Sequence, residues 1–370
     1  MKQVKEILKI GSAFIGVLVG AGFASGQEVV QYFTSFGLMG IAGGILATAL
    51  FAFLGMALAK IGSRMHTTSH KDAVYEISGP FFGRIIDYVL IFTLFGVGVV
   101  MLAGAGSNIS QQFGLPAFVG TTLMVVLVFL TGVLRVDRVI SVISSITPFL
   151  ILFVIIISIY SLSTIDGSLI ELDSIAKEQY TTLPNWFISA VNYVSFNTAV
   201  GASMTLVMGG AERNEKTAAL GGLAGGLGLG ALIVLSHLAI FSKIDTVGGM
   251  EIPMLGIVDQ ISPILGSIMA IVLFAMIFNT AVSMFFSFSA RFMEIGTNKF
   301  KIFLAATLAV GYIASFIGFT DLLSIFYPLI GYLGLFLFVA LIVALFRLDT
   351  LAKRKSDQNN LRKSVKKTAK

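Results

Sequence analysis

Four glycines fall within eleven residues in the run Gly16-Val17-Leu18-Val19-Gly20-Ala21-Gly22-Phe23-Ala24-Ser25-Gly26-Gln27-Glu28, and the run ends on a carboxylate. Each glycine weakens a helix by about 1 kcal/mol relative to alanine, so an interruption near Gly20 costs little. Ser25 followed three residues later by Glu28 reads as a capping box, which predicts that the helix restarts near Gly26. The amides of Ala21, Gly22 and Phe23 are then left free at the positive end of a new helix, a setting suited to a carboxylate. Glycine also lets a ligand approach the backbone closely. Glu28 itself is an acid inside an apolar run. It is read either as the cap or as a functional group, a proton acceptor or the counter-ion of a substrate ammonium.

Two further polar clusters interrupt apolar runs. In Asn192-Tyr193-Val194-Ser195-Phe196-Asn197-Thr198-Ala199-Val200-Gly201-Ala202-Ser203, a second break would leave carbonyls from Ser195 to Thr198 open to a cation or ammonium. Asn197 and Thr198 would cap the restarted helix, and Tyr193 and Phe196 would wall a pocket, with ordinary packing the plainer role for the two aromatics. Asn279, Thr280 and Ser283 form the third cluster, and spacings of three and four place Ser283 on the side shared with the other two. Hydroxyls of this kind ordinarily bond back to their own helix.

The elements that must carry these clusters are membrane helices. The 370 residues are 56% hydrophobic and 12% charged, with a mean hydropathy of +0.94, against about 25% charged in soluble domains. Apolar runs that mostly reach the roughly 20 residues needed to cross a bilayer argue for helices rather than a barrel. Ten transmembrane helices are expected, near 7–33, 37–59, 86–112, 117–134, 139–163, 186–209, 217–242, 263–290, 301–318 and 320–346. The expected fold class is thus an all-α integral membrane protein.

The chain also repeats itself. Leu38 to Leu50 reads LMGIAGGILATAL and Leu220 to Leu232 reads LGGLAGGLGLGAL, an offset of 182 residues. Val19-Gly20-Ala21 and Val200-Gly201-Ala202 lie at an offset of 181, and Pro148 and Pro328 at 180. Repeated halves with matched interruptions are how many secondary transporters build a pocket near mid-bilayer, so helices 1 and 6 are expected to be broken. Of the 25 Lys and Arg, all but Lys177 and Lys243 fall in the tails and in the loops on the same side, which puts both termini in the cytoplasm. The two five-helix halves, 1–165 and 186–346, are therefore inverted relative to each other. An extracellular loop at 166–185 separates them, and a basic cytoplasmic tail, 347–370, follows. The net charge of +6 reflects this topology, not nucleic-acid binding.

Several chemistries are excluded. Without cysteine there is no disulfide or thiolate chemistry. The glycine run has GxGxxxG spacing and follows a helix, not a strand, so it is not a nucleotide loop. His66 and His70, four apart in an expected loop, read as solvated side chains, and no acid–base or metal cluster suggests an enzyme. The six glycines Gly40, Gly43, Gly44, Gly222, Gly225 and Gly226 are expected to serve close helix packing.

The repeat topology, the paired breaks and the run GVLVGAG resemble the LeuT-type fold of the amino acid-polyamine-organocation superfamily. Within it, GAGFASGQE and the ten-span length resemble the YkvI-type amino-acid permeases, over nearly all of the chain before the basic tail. The resemblance implies a bundle of helices 1, 2, 6 and 7 that rocks against a scaffold of 3, 4, 8 and 9. It also implies a single sodium site made of the Gly16 and Val19 carbonyls with the hydroxyls of Thr280 and Ser283. Phe23 stands where some relatives have an asparagine that supports a second sodium. Span five carries no lysine to replace a metal ion.

The expectation is a multi-pass plasma-membrane transporter. It would move a small solute, an amino acid, by cation-coupled alternating access. Solute contacts are expected from Ala21, Gly22, Phe23, Glu28, Tyr193, Phe196 and Asn197. No cofactor is expected besides Na+, with H+ coupling through Glu28 as the rival. A solute-sensing receptor that keeps the same fold is the alternative, and a channel the next.

Overall fold

The computed structural model describes residues 2–66, 70–133, 147–165, 167–341 and 343, without the side chains of Lys2, 70–83, 147–150 and Ser203. The basic tail, the start of the expected fifth span and the end of the tenth lie outside the described residues. Those described form helices and no strand. In chain order they are α1 (Lys2–Leu18), α2 (Ala21–Ser25), α3 (Gln27–Tyr32), α4 (Met39–Met65), α5 (His70–Phe113), α6 (Ala117–Val133), α7 (Thr147–Ser163), α8 (Leu169–Lys177) and α9 (Trp186–Ala211). There follow α10 (Glu215–Phe241), α11 (Ile244–Val247), α12 (Pro253–Ile261), α13 (Pro263–Phe292), α14 (Asn298–Ser315) and α15 (Phe319–Leu341). By length and composition α4, the Arg84–Phe113 part of α5, α10, α13 and α15 can each cross a bilayer. Ala117–Val133 and Ile151–Ser163 are shorter apolar helices.

Local chemistry sets the ends. Asn185, Asn214, Ser168 and Thr297 each accept an amide of the helix that follows, and Pro253 and Pro263 open α12 and α13, where a missing N–H costs nothing. Pro328 lies inside α15 and cannot donate to the carbonyl of Ser324. The Thr182 hydroxyl donates to that carbonyl instead, at 2.8 Å.

Packing divides the long helices into two bodies. α1, α4, α9 and α10 pack on one another, and α5, α6, α13 and α14 on one another. The seam between α4 and α10 is lined with glycine. A β-carbon on Gly222 would meet the Gly55 carbonyl, and one on Gly226 the backbone of Phe51 and Ala52. Small residues let backbones approach where lipid offers no hydrophobic drive to associate.

The contacts across this seam are reciprocal. Gly226 lies against Phe51 and Ala52, and Gly44 lies against Ile233 and Val234. Gly222 lies against Gly55, and Gly40 against His237. Each pair maps onto the other by the 182-residue offset of the sequence repeat, so α4 and α10 meet about a local two-fold axis.

One expectation is corrected. The sixth expected span is a continuous helix, α9, running through Val200-Gly201-Ala202. A lone glycine costs only about 1 kcal/mol, and the polar side chains reinforce the helix instead of opening it. Asn197 Nδ2 donates to the Tyr193 carbonyl at 3.0 Å, the Thr198 hydroxyl to Val194 at 2.7 Å and the Thr205 hydroxyl to Gly201 at 2.9 Å. The first span, by contrast, is broken where expected.

Candidate functional site

The break begins where α1 ends at Leu18. The amide of Gly20 turns back to the Leu18 carbonyl at 3.0 Å, and Gly20 is extended, so no side chain caps the first turn of α2. A second discontinuity follows at once, at Gly26, whose φ of 85° lies in the left-handed region. A β-carbon there would also press on Met254 and Ile240, so packing and backbone both demand glycine. Ser25 and Glu28 do not form the expected reciprocal cap. The Ser25 hydroxyl accepts from the Gln27 amide at 3.1 Å and donates to the Gly22 carbonyl at 2.7 Å. Glu28 lies in the first turn of α3, after left-handed Gly26, with its side chain buried.

Glu28 is 4% exposed, and its Oε1 lies where a β-carbon on Gly22 would stand. Oε2 accepts from the Tyr193 hydroxyl at 3.1 Å. Thus two residues far apart in sequence, one on the broken segment and one on α9, meet. Around this bond the aromatic rings are continuous. Tyr32 lies 4.8 Å from the Tyr193 ring, Phe33 5.2 Å and Phe51 6.0 Å, while Phe196 lies 6.4 Å from it and stacks on Tyr327 at 4.3 Å. Tyr32, Tyr193 and Tyr327 all lie within electrostatic reach of the Glu28 carboxyl.

Tyr32, Asn192 and Tyr327 were not singled out from the sequence. Tyr32 sits one helical turn beyond Glu28, a spacing that could have found it. Its hydroxyl donates to Asn192 Oδ1 at 3.3 Å, and Asn192 Nδ2 donates to the Pro328 carbonyl at 3.0 Å. The Ser195 hydroxyl donates to the Gly331 carbonyl at 2.7 Å, which fixes α15 against α9.

Asn197 faces elsewhere. With Thr198 and Thr205 it lines a small cavity closed by Phe14 and Phe51, with room for about one water molecule. Two of the expected sodium ligands, Thr280 and Ser283, lie on α13. The Thr280 hydroxyl donates to the Met276 carbonyl of its own helix at 3.1 Å, and Ser283 is exposed. Gly16 and Val19 flank the end of α1.

No protein-family model matches the chain. It is 28% identical over 338 residues to the uncharacterized membrane protein YkvI of Bacillus subtilis (strain 168), covering 90% of this chain and 95% of YkvI. The crystal structure of MhsT in complex with L-phenylalanine superposes with a TM-score of 0.56 at 18% identity, over 88% of this chain and 87% of MhsT. A Na+-coupled sialic acid symporter in a substrate-bound outward-open state gives a TM-score of 0.54 at 14% identity, over 89% and 76%. The chain is thus similar to YkvI over nearly the whole of both sequences and has the LeuT-type fold.

Proposed function

We propose that the protein is a secondary active transporter that moves a small solute, an amino acid, by cation-coupled alternating access. The observation that carries this reading is the placement of Glu28. A buried carboxyl faces the interruption of a helix that belongs to one packed body, beside the short α2 on which α13 of the other body rests. An acid at such depth is costly unless it has work to do. Amides of Ala21, Gly22 and Phe23 are the proposed donors to the solute carboxylate, and Tyr193 and Phe196 the proposed wall. Asn197, on the next turn, would contact a longer side chain from the cavity beside Phe51.

The two inverted halves, 1–165 and 186–346, give alternating access its physical basis, because related halves can form two faces of similar stability. The reading places the protein in the plasma membrane with both termini cytoplasmic, supported by the charge asymmetry of the loops. For the coupling ion, sodium would sit among the Gly16 and Val19 carbonyls, Thr280 and Ser283. The Thr280 hydroxyl must then turn a lone pair to the ion while keeping its bond to Met276. The Na+ coupling named for the sialic acid symporter supports this choice. Proton coupling through Glu28 is the rival.

The test is uptake of radiolabelled amino acids into proteoliposomes under an imposed sodium or proton gradient. Accumulation above the external concentration that needs one of the gradients supports the proposal. Solute binding without uptake under either gradient would reject it in favour of a receptor.

A further inference from the structure

Among the described residues no cationic side chain is paired with the Glu28 carboxyl, and the Tyr193 hydroxyl donates to it. The ion pairs among the described residues lie elsewhere, at Glu6–Lys9, Arg64–Glu215, Asp173–Lys177 and Asp87–Arg291. A carboxylate buried this way calls for a cation from outside the chain. Three cations could answer: a proton, a metal ion or an organic ammonium. The surroundings separate them. A metal ion needs a shell of hard oxygens, whereas the side chain bonded to Glu28 is Tyr193, whose ring is the centre of a cluster of Tyr32, Phe33, Phe51 and Phe196, with Tyr327 stacked on Phe196. A proton carrier needs no such cage. A carboxylate joined to a cluster of rings attracts alkylammonium groups, through the ring quadrupoles and the full charge together.

We infer that Glu28 and the aromatic cluster around Tyr193 bind the ammonium group of the solute, so that the amine, more than the carboxylate, is what the protein recognises. This rests on the proposed reading of the break as the solute site. Glu28 Oε1 lies in the space that a side chain on Gly22 would fill, so Gly22 lets the carboxyl reach the break, and the Tyr193 hydroxyl holds Oε2 until the ammonium arrives. Solutes with an amine and no carboxylate are accordingly ligands, and deaminated acids are not.

The experiment is a thermal-shift and calorimetric screen of the purified protein in detergent. The panel comprises the common amino acids, their decarboxylated amines and their deaminated acids, for example leucine, 3-methylbutylamine and 4-methylpentanoate. At least one amino acid and its amine should bind, with the deaminated acid at least tenfold weaker. Glu28→Gln should weaken amine binding at least tenfold, while Gly249→Ala, outside the cluster and with nothing within 4 Å of its β-carbon position, should stay within threefold of the unmodified protein. Should Glu28→Gln fail to fold, the three-way comparison on the unmodified protein decides. A deaminated acid that binds as well as its parent, amine binding indifferent to Glu28→Gln, or a panel in which no amine binds would each overturn the inference. Amine-selective binding with no uptake would sink the transporter reading and leave this one standing. Uptake of a solute that lacks an amine would do the reverse.

Discussion

Thr48 and Gly230 occupy equivalent positions in the two sequence repeats, and they touch each other: a β-carbon on Gly230 would fall onto the Thr48 side chain. A residue that contacts its own repeat equivalent marks the local two-fold axis. The α4–α10 seam is therefore the place where the two halves meet as images, and its neighbours on either side pair reciprocally.

Bulk at this seam should unfold the protein. A β-carbon on Gly55 would meet the Gly222 carbonyl, which as backbone cannot rotate away. Gly55→Val should lower stability by about 1–3 kcal/mol or more, read as thermal unfolding in detergent. Gly249→Ala, with nothing within 4 Å of its β-carbon position, is the control and should change little.

The turn into α4 should respond to pH through Asp173. Its Oδ1 accepts from the Leu38 amide at 2.8 Å, and its Oδ2 pairs with Lys177 at 2.6 Å. The hydrogen bond from Lys177, then that from the Leu38 amide, holds this carboxyl below the usual range. A lowered carboxyl stabilises the fold fully above its unfolded value of about 3.9, and the contribution is lost as pH falls through the lowered folded value. Asp173→Ala should cost about 1 kcal/mol at neutral pH, given the exposure of Lys177. The gap between the two proteins should close in acid below pH 4, and a pH-independent gap would reject the assignment.

Sodium coupling should pass through Thr280. Its hydroxyl bonds only within its own helix, so Thr280→Val should leave folding intact. The expected result is a half-saturating sodium concentration for uptake raised at least tenfold. Uptake indifferent to sodium that collapses with the proton gradient would reject the site and favour Glu28 as the proton carrier.

The absence of cysteine makes the two-body division directly testable. Arg64 and Glu215 pair at 2.6 Å across α4 and α10, within one body, so a short thiol cross-linker between cysteines at these positions should leave uptake intact. Gln31 Nε2 donates to the Thr182 hydroxyl at 3.3 Å, and Thr182 in turn holds the Ser324 carbonyl of α15. This chain of bonds ties α3, just past the break, to α15, so a cross-link between positions 31 and 182 should arrest transport. Unimpaired uptake would mean that this contact never opens.

Much of the architecture was legible in the chain. Hydropathy placed the helices, because a membrane span must satisfy its own backbone and so announces itself in local composition. The glycine density from Gly16 to Gly26 located the break in the first span, and the 182-residue echo located the seam. The same reasoning failed for the sixth span. A Val-Gly-Ala triplet recurs there, but whether a helix opens depends on where its polar side chains find partners, and Asn197, Thr198 and Thr205 find them on the helix itself.

The sequence alone thus determined the helical class, the inverted repeat and the discontinuity before Glu28, since all three follow from local propensity and from periodicity along the chain. Only the tertiary structure decided what Glu28 faces. The Tyr193 hydroxyl, the rings of Tyr32 and Phe51, and the stack of Phe196 on Tyr327 come from segments scattered over the chain. Their meeting is set by how closely the glycine faces of α4 and α10 approach, a matter of packing distance that no local signal encodes.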